Sequence, residues 1–471
     1  MPEPRSYDVV VLGAGPAGEN AADYAHQRGL SVAIVERELV GGECSYWACM
    51  PSKALLGPPA ALAAARRLPG AAAAVTGDLD VEAVLASRDA AAANWQDDGQ
   101  VSWLDGAGIH LLRGHGRLVG EQQVEVESAD GEVVALTARR GVVVATGSAA
   151  ARPPIDGLDE AAPWSSRDVT AMQTVPERLL VIGGGVVGVE MAQAARSLGA
   201  HEVTIVQADA RLLPPEEPFV GEHLRAALEA DGIEVLTDAQ AQHVRRDGTD
   251  GPVTLVLADG RELVGDELLV ATGRTPRTAD LGLEVVGVTP GARGHLDVDD
   301  HLRVGGRDWL YAVGDVNGRA PLTHHGKYQA RLVGDALAGV AVDPAWADER
   351  ALTRVVFTDP QVAAVGWTEQ RARDAGRDVL TVRYDLGHTA GGSLQGEGFG
   401  GPAQLVVDRE RRTVLGATFV GPGAGDHLHA ATIAVVSEVT VDRLAHAVPA
   451  FPTVSEVWLR LLEEIRKLDL G

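Results

Sequence analysis

Of the 471 residues, only two are cysteine, Cys44 and Cys49, and only three are lysine, Lys53, Lys327 and Lys467, although 41 residues are basic. Aromatic residues make up 4% of the chain. Excess positive charge is also missing. The net charge of −25 argues against nucleic acid or an anionic membrane as partner, because phosphate binding needs clustered Lys and Arg. No long apolar run is present either. The Ala-rich region 60–75 is broken by Arg66-Arg67 and Pro69-Gly70, well short of the ~20 apolar residues of a membrane span. The first residues lack the basic-then-apolar plan of a secretory signal and lead directly into Tyr7-Asp8-Val9-Val10-Val11-Leu12. A cytoplasmic protein is expected, without a membrane partner. In that reducing compartment a lone cysteine pair is more often catalytic or metal-binding than a structural staple. An apolar content of 45% fits a folded, soluble chain, and the length implies two to four domains.

What is present is a repeated unit. Val9-Val10-Val11-Leu12 runs into Gly13-Ala14-Gly15-Pro16-Ala17-Gly18, then a helical stretch to Gly29, a strand Ser31–Val35, and Glu36. The layout returns in Leu179–Ile182, Gly183-Gly184-Gly185-Val186-Val187-Gly188, a helix to Gly199, the strand Val203–Val206, and Gln207. In both copies the first glycine and the glycine closing the helix lie 16 residues apart. Two G-x-G-x-x-G fingerprints inside matched strand–helix–strand units predict two dinucleotide sites. The first glycine permits the tight turn, the second lets a pyrophosphate approach the backbone, and the third lets helix and strand pack closely. Free N–H groups at the helix start then face the phosphates. Glu36, 18 residues after Gly18, is placed to take ribose hydroxyls, and Gln207 stands 19 after Gly188. Gln207 can bond a hydroxyl without repelling a 2′-phosphate, and Arg211 lies within loop reach. The coenzyme choice leans to NADH and stays open to NADPH.

Each unit closes on a similar strand, Val142–Thr146 before Gly147 and Leu268–Thr272 before Gly273. A further apolar strand around Trp309–Val313 enters Gly314-Asp315, where an acid at a strand's carboxyl end can take cofactor hydroxyls. From about residue 346 the pattern changes to short strands such as Thr353–Phe357 and Gln404–Val407, with helices around 427–446 and 454–469. That reads as an α+β domain without nucleotide signals.

Three readings compete for Cys44 and Cys49. Zinc needs about four ligands, and no second Cys pair or tight His pair stands nearby, so no metal is expected. Inert core thiols fit poorly beside a Gly-Gly turn and polar neighbours. The third reading is a redox-active disulfide. Residues five apart in a regular helix are separated by roughly 7.5 Å of rise, beyond the ~4.4–6.8 Å that bridged Cα atoms need. The segment therefore cannot be an undistorted helix if the bond forms. Pro51 points to a helix starting close by.

Gly41-Gly42-Glu43-Cys44, Cys49, and Pro51-Ser52-Lys53, together with both fingerprints, Ala145-Thr146-Gly147, Ala271-Thr272-Gly273-Arg274, Gly314-Asp315 and Thr358–Glu369, resemble the flavin-dependent pyridine nucleotide–disulfide oxidoreductases. Dihydrolipoamide dehydrogenase, glutathione reductase and mercuric reductase belong to that family. The resemblance covers essentially the whole chain. It implies an α/β fold with two Rossmann-like domains, FAD-binding over 1–150 and 276–345 and NAD(P)-binding over 151–275, plus a C-terminal α+β dimerisation domain over 346–471. It implies a homodimer, FAD in the first site and NADH or NADPH in the second, and a two-electron relay to a small-molecule acceptor. Cys49 would face the flavin and Cys44 would exchange with substrate. Lys53 would lie near the flavin's reducible nitrogen, paired with Glu190. The implied cofactor-binding set in the first part of the chain is Gly13, Gly15, Pro16, Ala17, Gly18, Glu36, Arg37, Gly42, Glu43, Thr146, Gly147 and Ser148. It continues with Gly183, Gly185, Val187, Gly188, Gln207, Gly273 and Arg274, then Gly314, Asp315, Leu322, Thr323 and His324, with Asp315 on the ribityl chain.

The chain departs from the family in two places. Disulfide reductases carry a C-terminal His-Pro-Thr-x-x-Glu, whose His shuttles protons to the exchanging thiol and whose Glu orients it. Here Phe451 precedes Pro452-Thr453-Val454-Ser455-Glu456, so Glu456 is expected as a catalytic residue without its usual client. Phenylalanine can neither give nor take a proton, and a positioned base is commonly worth ~10²–10⁴ in rate. His446 is a candidate substitute, although a solvated helix-end histidine is the favoured reading. Mercuric reductases place a Tyr at the His position and add a C-terminal cysteine pair; this chain has neither, which argues against mercury. The loop between the cysteines is Ser45-Tyr46-Trp47-Ala48, which either offers a stacking surface for substrate or fills a structural gap. The leading reading is an FAD-dependent NAD(P)H oxidoreductase acting on an unusual disulfide or a planar electrophile such as a quinone. A diaphorase independent of the cysteines and a non-catalytic flavoprotein subunit are the rivals.

Overall fold

The structure is a computed structural model that describes residues 5–470. Its residues divide into two compact units, one built from the chain up to Pro51, Asp89–Ala150 and Arg274–Glu349, the other from Ser52–Arg88, Ala151–Gly273 and Arg350 onward.

The first unit is organised by a sheet in the order His110–Arg113, Val32–Glu36, Arg5–Leu12, Val133–Val144, Gln123–Glu127, His115–Gly120, with Leu310–Ala312 also beside Val133–Val144. The first four strands and Leu310–Ala312 run parallel, in registers such as Val9↔Val32 and Leu12↔Val144. Parallel strands need cover on both faces, and Val9-Val10-Val11-Leu12 supply apolar groups to each. Val9 and Val11 pack with Ala21, Ala25 and Val333, whereas Val10 and Leu12 pack with Leu118, Val124 and Leu310. The helices Pro16–Gln27 and Thr323–Leu337 cover the first of these faces.

The second unit holds three sheets. Ile233–Leu236, Glu202–Val206, Arg178–Ile182 and Glu267–Val270 form a four-stranded parallel sheet. The same division of labour recurs along Arg178–Ile182. Leu179 and Val181 join the core with Val189 and Ala192 of the helix Val186–Ser197, and Leu180 and Ile182 face Val244 and Leu255 of a three-stranded antiparallel sheet. The third sheet is antiparallel and five-stranded, in the order Thr353–Val356, Gln361–Gly366, Val414–Gly421, Pro402–Asp408, Val379–Asp385. The helices Ala424–Val436 and Val457–Leu470 belong to this region. Among the described residues, no helix is long and apolar enough to cross a membrane.

Candidate functional site

The two fingerprints fold alike. A Cβ on Gly18 would stand 1.9 Å from the Gly13 carbonyl oxygen, and one on Gly188 would stand 1.9 Å from that of Gly183, so both third glycines are demanded by backbone contact. At the second glycine the space is open instead. A Cβ on Gly15 would meet only the Gly42 Cα, at 4.0 Å, and one on Gly185 would meet nothing within 4 Å. Both are N-cap residues of helices whose first turn receives no side-chain cap, which leaves N–H groups for an anion. Glu36 Oε2 accepts from the Ala14 N–H at 2.7 Å, and Gln207 Oε1 accepts from the Gly184 N–H at 2.7 Å. The two side chains that end the second strands thus occupy equivalent places. These are surroundings into which a dinucleotide pyrophosphate and ribose fit.

Gln207 is further engaged. Its Nε2 donates to Asp209 Oδ2 at 2.8 Å, while Arg211 Nη2 donates to the Pro214 and Glu216 carbonyls. An acid therefore stands beside Gln207, and the nearby guanidinium is turned onto the backbone. Sequence reading missed Asp209, whose only signal was an acid two positions beyond the expected ribose ligand.

The cysteine segment lies against the first fingerprint. Gly41 and Gly42 both have positive φ, and a Cβ on Gly42 would stand 2.8 Å from the Gly15 Cα, so only glycine permits this approach. A short helix, Gly42–Tyr46, ends at Trp47, whose φ of −136° and ψ of 0° interrupt the path, and a new helix starts at Cys49 and runs to Arg67. The expected distortion between the cysteines is this break. Neither cysteine is in a disulfide, and the two thiols are hydrogen-bonded to each other. Cys49 Sγ also lies 3.5 Å from Thr323 Oγ1 at the start of the helix Thr323–Leu337. The bond to Cys49 and then burial push the Cys44 thiol up, and Thr323 and Lys327 act in the opposite direction. Tyr46 does not form the stacking surface that its neighbourhood suggested. It is buried, its hydroxyl donates to the Val40 carbonyl at 2.8 Å, and its own carbonyl accepts from Trp95 Nε1 at 3.1 Å. It fills the turn, and Trp47 packs edge-on against it with ring centroids 5.7 Å apart.

Glu43, Ser148, Arg274 and Asp315 gather in the first unit. Ser148 Oγ donates to Asp315 Oδ2 at 2.5 Å, Arg274 Nε donates to Ser148 Oγ at 2.6 Å, and Arg277 Nη2 donates to Glu43 Oε1 at 3.0 Å. Arg274, grouped by sequence with the second nucleotide strand, thereby works on the Asp315 cluster. Thr146 Oγ1 donates to the Arg277 carbonyl at 2.6 Å beside Gly147, and the Gly314 N–H donates to Gln329 Oε1 at 2.8 Å. Leu322 precedes the helix that Thr323 opens; His324 is exposed on it, and His325 is buried against Asp348. Arg37, at the end of the second strand, is exposed.

In the second unit Lys53 Nζ donates to Glu190 Oε2 at 2.8 Å. Glu190 is buried on the helix Val186–Ser197, and its Oε1 accepts from the Phe357 N–H at 2.9 Å. The Phe357 ring centroid lies 4.7 Å from the Lys53 ammonium. This second anchor was not foreseen, because nothing local in the sequence links residue 357 to residue 190. Val187 lies in the first turn of that helix, and Gly273 follows its sheet with a φ of +130°.

The Phe451–Pro452 segment also belongs to the second unit. Phe451 is 77% exposed. Glu456 is buried; its Oε2 accepts from the Ala390 N–H at 3.2 Å, and Arg460 approaches Oε1 at 3.9 Å. With those partners Glu456 braces the loop, where the sequence suggested a catalytic residue without a client. His446 is exposed. Among the described residues, no group of three or more His, Cys, Asp or Glu is arranged to hold a metal ion.

Comparison with known proteins agrees with this geometry. Residues 7–330 match the pyridine nucleotide-disulphide oxidoreductase family, and residues 352–461 match its dimerisation domain. A mercuric reductase of Streptomyces lividans is 35% identical over 96% of this chain and 94% of its own length. A dihydrolipoyl dehydrogenase of Thermus scotoductus is 34% identical over 98% of each chain. The crystal structure of LpdA from Mycobacterium tuberculosis superimposes with a TM-score of 0.85 at 26% identity, over 98% of this chain and 99% of that one. Members of the family use FAD and NAD(P)H, and the dimerisation domain supports a homodimer. The chain belongs to the pyridine nucleotide-disulphide oxidoreductases, and it is an FAD-dependent NAD(P)H oxidoreductase of that family.

Proposed function

We propose that the protein takes two electrons from NADH and delivers them, through Cys44 and Cys49, to a small disulfide or quinone-like electrophile that needs no proton-shuttling base at position 451. The observation that carries this reading is Phe451, an exposed ring where the family's disulfide reductases use an imidazole. An acceptor whose leaving group is already a stable anion requires little proton transfer, so loss of that base costs it less than the ~10²–10⁴ expected of ordinary thiols.

FAD held by the first fingerprint supplies the two-electron step between nicotinamide and thiols. Gly13–Gly18 and the uncapped start of the helix Pro16–Gln27 would hold its pyrophosphate, with Glu36 and Asp315 on its hydroxyls. Lys53, held by Glu190, keeps a positive charge in a fixed place four residues after Cys49 on one helix. Cys49, beside Thr323, would be the thiol that exchanges electrons with FAD, and Cys44 would meet the acceptor. Two electrons and two protons leave the dithiol as the Cys44–Cys49 bond forms, and the acceptor gains them. Asp209 supports NADH over NADPH, since a carboxylate bonded to Gln207 repels a 2′-phosphate.

The test is an anaerobic titration with NADH and, separately, NADPH. The wild type should consume more than one equivalent per flavin and develop a long-wavelength band that Cys49→Ser lacks. One equivalent per flavin and identical spectra in both proteins would sink the proposal. A panel of disulfides and quinones then ranks acceptors. Quinone turnover surviving in Cys44→Ser, with disulfide reduction lost, would assign quinones to a route that bypasses the pair.

A further inference from the structure

Ala93, Asn94 and Trp95 all take left-handed backbone conformations, with φ of +49°, +50° and +54°. None is glycine, and crowding between Cβ and the following carbonyl makes three such residues in succession costly. A costly conformation persists only where its surroundings over-determine it, and such residues gather at functional sites. Here the turn leads onto the cysteine segment. Trp95 Nε1 donates to the Tyr46 carbonyl at 3.1 Å, and Asp97 Oδ2 accepts from the Val40 N–H at 2.7 Å. Val40 and Tyr46 are both buried, and the Tyr46 hydroxyl closes back on the Val40 carbonyl at 2.8 Å. These two residues bracket positions 41–45, so Cys44 lies between the two points gripped from outside. Tyr46 ends the five-residue helix Gly42–Tyr46, whose last carbonyls have no partner within the helix, and the Trp95 indole supplies one. Asp97 is itself held in place. Arg113 Nη2 donates to its Oδ2, and Arg113 Nη1 donates to the Glu38 carbonyl at 2.6 Å.

We propose that residues 93–97 form a strained clip that fixes the short Cys44 helix beside Cys49, with Trp95 and Asp97 as positioning residues for the redox pair. This rests on the reading that Cys44 and Cys49 cycle between dithiol and disulfide. The clip touches neither sulfur. It acts by holding the backbone on both sides of Cys44, so that one thiol meets the other at a raised effective concentration. Oxidation by a small disulfide then runs in two exchanges. One cysteine thiolate attacks the small disulfide and expels its first thiolate, and the other cysteine attacks the mixed disulfide, closes the Cys44–Cys49 bond and expels the second. The pair loses two electrons and two protons, and the small disulfide becomes two thiols. Loosening the clip lowers the effective concentration and moves this equilibrium toward the dithiol.

The test equilibrates the FAD-loaded protein, without oxygen, in mixtures of reduced and oxidised glutathione. After an acid quench and alkylation, mass spectrometry counts the free thiols, and the midpoint ratio of the two glutathione forms is read for each variant. Trp95→Phe keeps a ring and removes the N–H donor, and it should move the midpoint about 3- to 10-fold toward the dithiol. Asp97→Ala should move it the same way. Asp97→Asn, whose amide oxygen still accepts from the Val40 N–H, should restore the wild-type midpoint. Midpoints at the wild-type value in both Trp95→Phe and Asp97→Ala would overturn the clip, as would equal shifts in Asp97→Ala and Asp97→Asn, which would trace the effect to charge and not to the bond with Val40. A wild type that forms no bridge at any ratio would overturn the relay and the clip together, whereas a wild-type bridge with unmoved variants overturns the clip alone.

Discussion

The Lys53 ammonium lies 2.8 Å from Glu190 Oε2, and the other oxygen of Glu190 accepts from the Phe357 N–H at 2.9 Å. Both oxygens of a buried carboxylate are therefore engaged, one by charge and one by backbone. Replacing Lys53 with Met leaves Glu190 buried and short of its cation. Since Lys53 is a third exposed, the loss in stability should be roughly 1–3 kcal/mol, below that of a fully buried pair. Flavin reduction by NADH, followed by stopped-flow absorbance, should slow by about 10- to 100-fold. An unchanged rate would exclude a role for Lys53 in flavin reduction.

The open space at the two N-cap glycines separates the two nucleotide sites experimentally. Gly15→Val should yield protein without bound flavin, because its side chain enters the first cradle. Gly185→Val should keep flavin while KM for NADH rises by about tenfold or more. Flavin content read from the visible spectrum, beside NADH titrations, distinguishes the two.

Burial pushes the Glu19 carboxyl up to about 7, with Lys327 opposing and Glu36 reinforcing. A carboxyl whose folded value lies above its unfolded one stabilises the fold fully below the unfolded value, near 4.5, and loses that contribution as pH rises through 7. Wild type should therefore lose up to about 3 kcal/mol between pH 4.5 and pH 8 relative to Glu19→Gln. Melting temperatures of the two proteins across that range supply the check, and parallel curves would contradict it.

Phe451 is exposed, so Phe451→His should cost under about 0.5 kcal/mol. On the proposed relay it should raise turnover with dihydrolipoamide by about 10- to 100-fold and leave the rate of flavin reduction unchanged. Turnover that stays at the wild-type level would show that position 451 does not serve the thiols.

Asp209→Asn removes the acid bonded to Gln207. The ratio of kcat/KM for NADH to that for NADPH should fall by about 3- to 10-fold, mainly through KM for NADPH.

Much of the site was legible in the sequence because its chemistry is local. The fingerprints fix the backbone at Gly13–Gly18 and Gly183–Gly188 within a few residues, so Glu36 and Gln207 could be placed by counting along strand, helix and strand. Their equivalence appears in matching bonds to Ala14 and Gly184. The break at Trp47 was legible for a similar reason, since helix rise alone separates residues five apart too far for a bridge. Tyr46 was not, because two adjacent aromatics carry no sign of which one faces the core. Its partners, Val40 and Trp95, decide that.

The sequence by itself determined the two dinucleotide units, the cysteine pair and the absence of a base at position 451, because each depends on residue type and short spacing. Tertiary structure alone decided what surrounds those groups. Thr323 reaches Cys49 across 274 residues, Phe357 anchors Glu190 across 167, and Arg274 closes on Ser148 across 126. Such partners are chosen by sheet order and helix packing, which bring distant segments within hydrogen-bond range and leave no periodic trace in the chain.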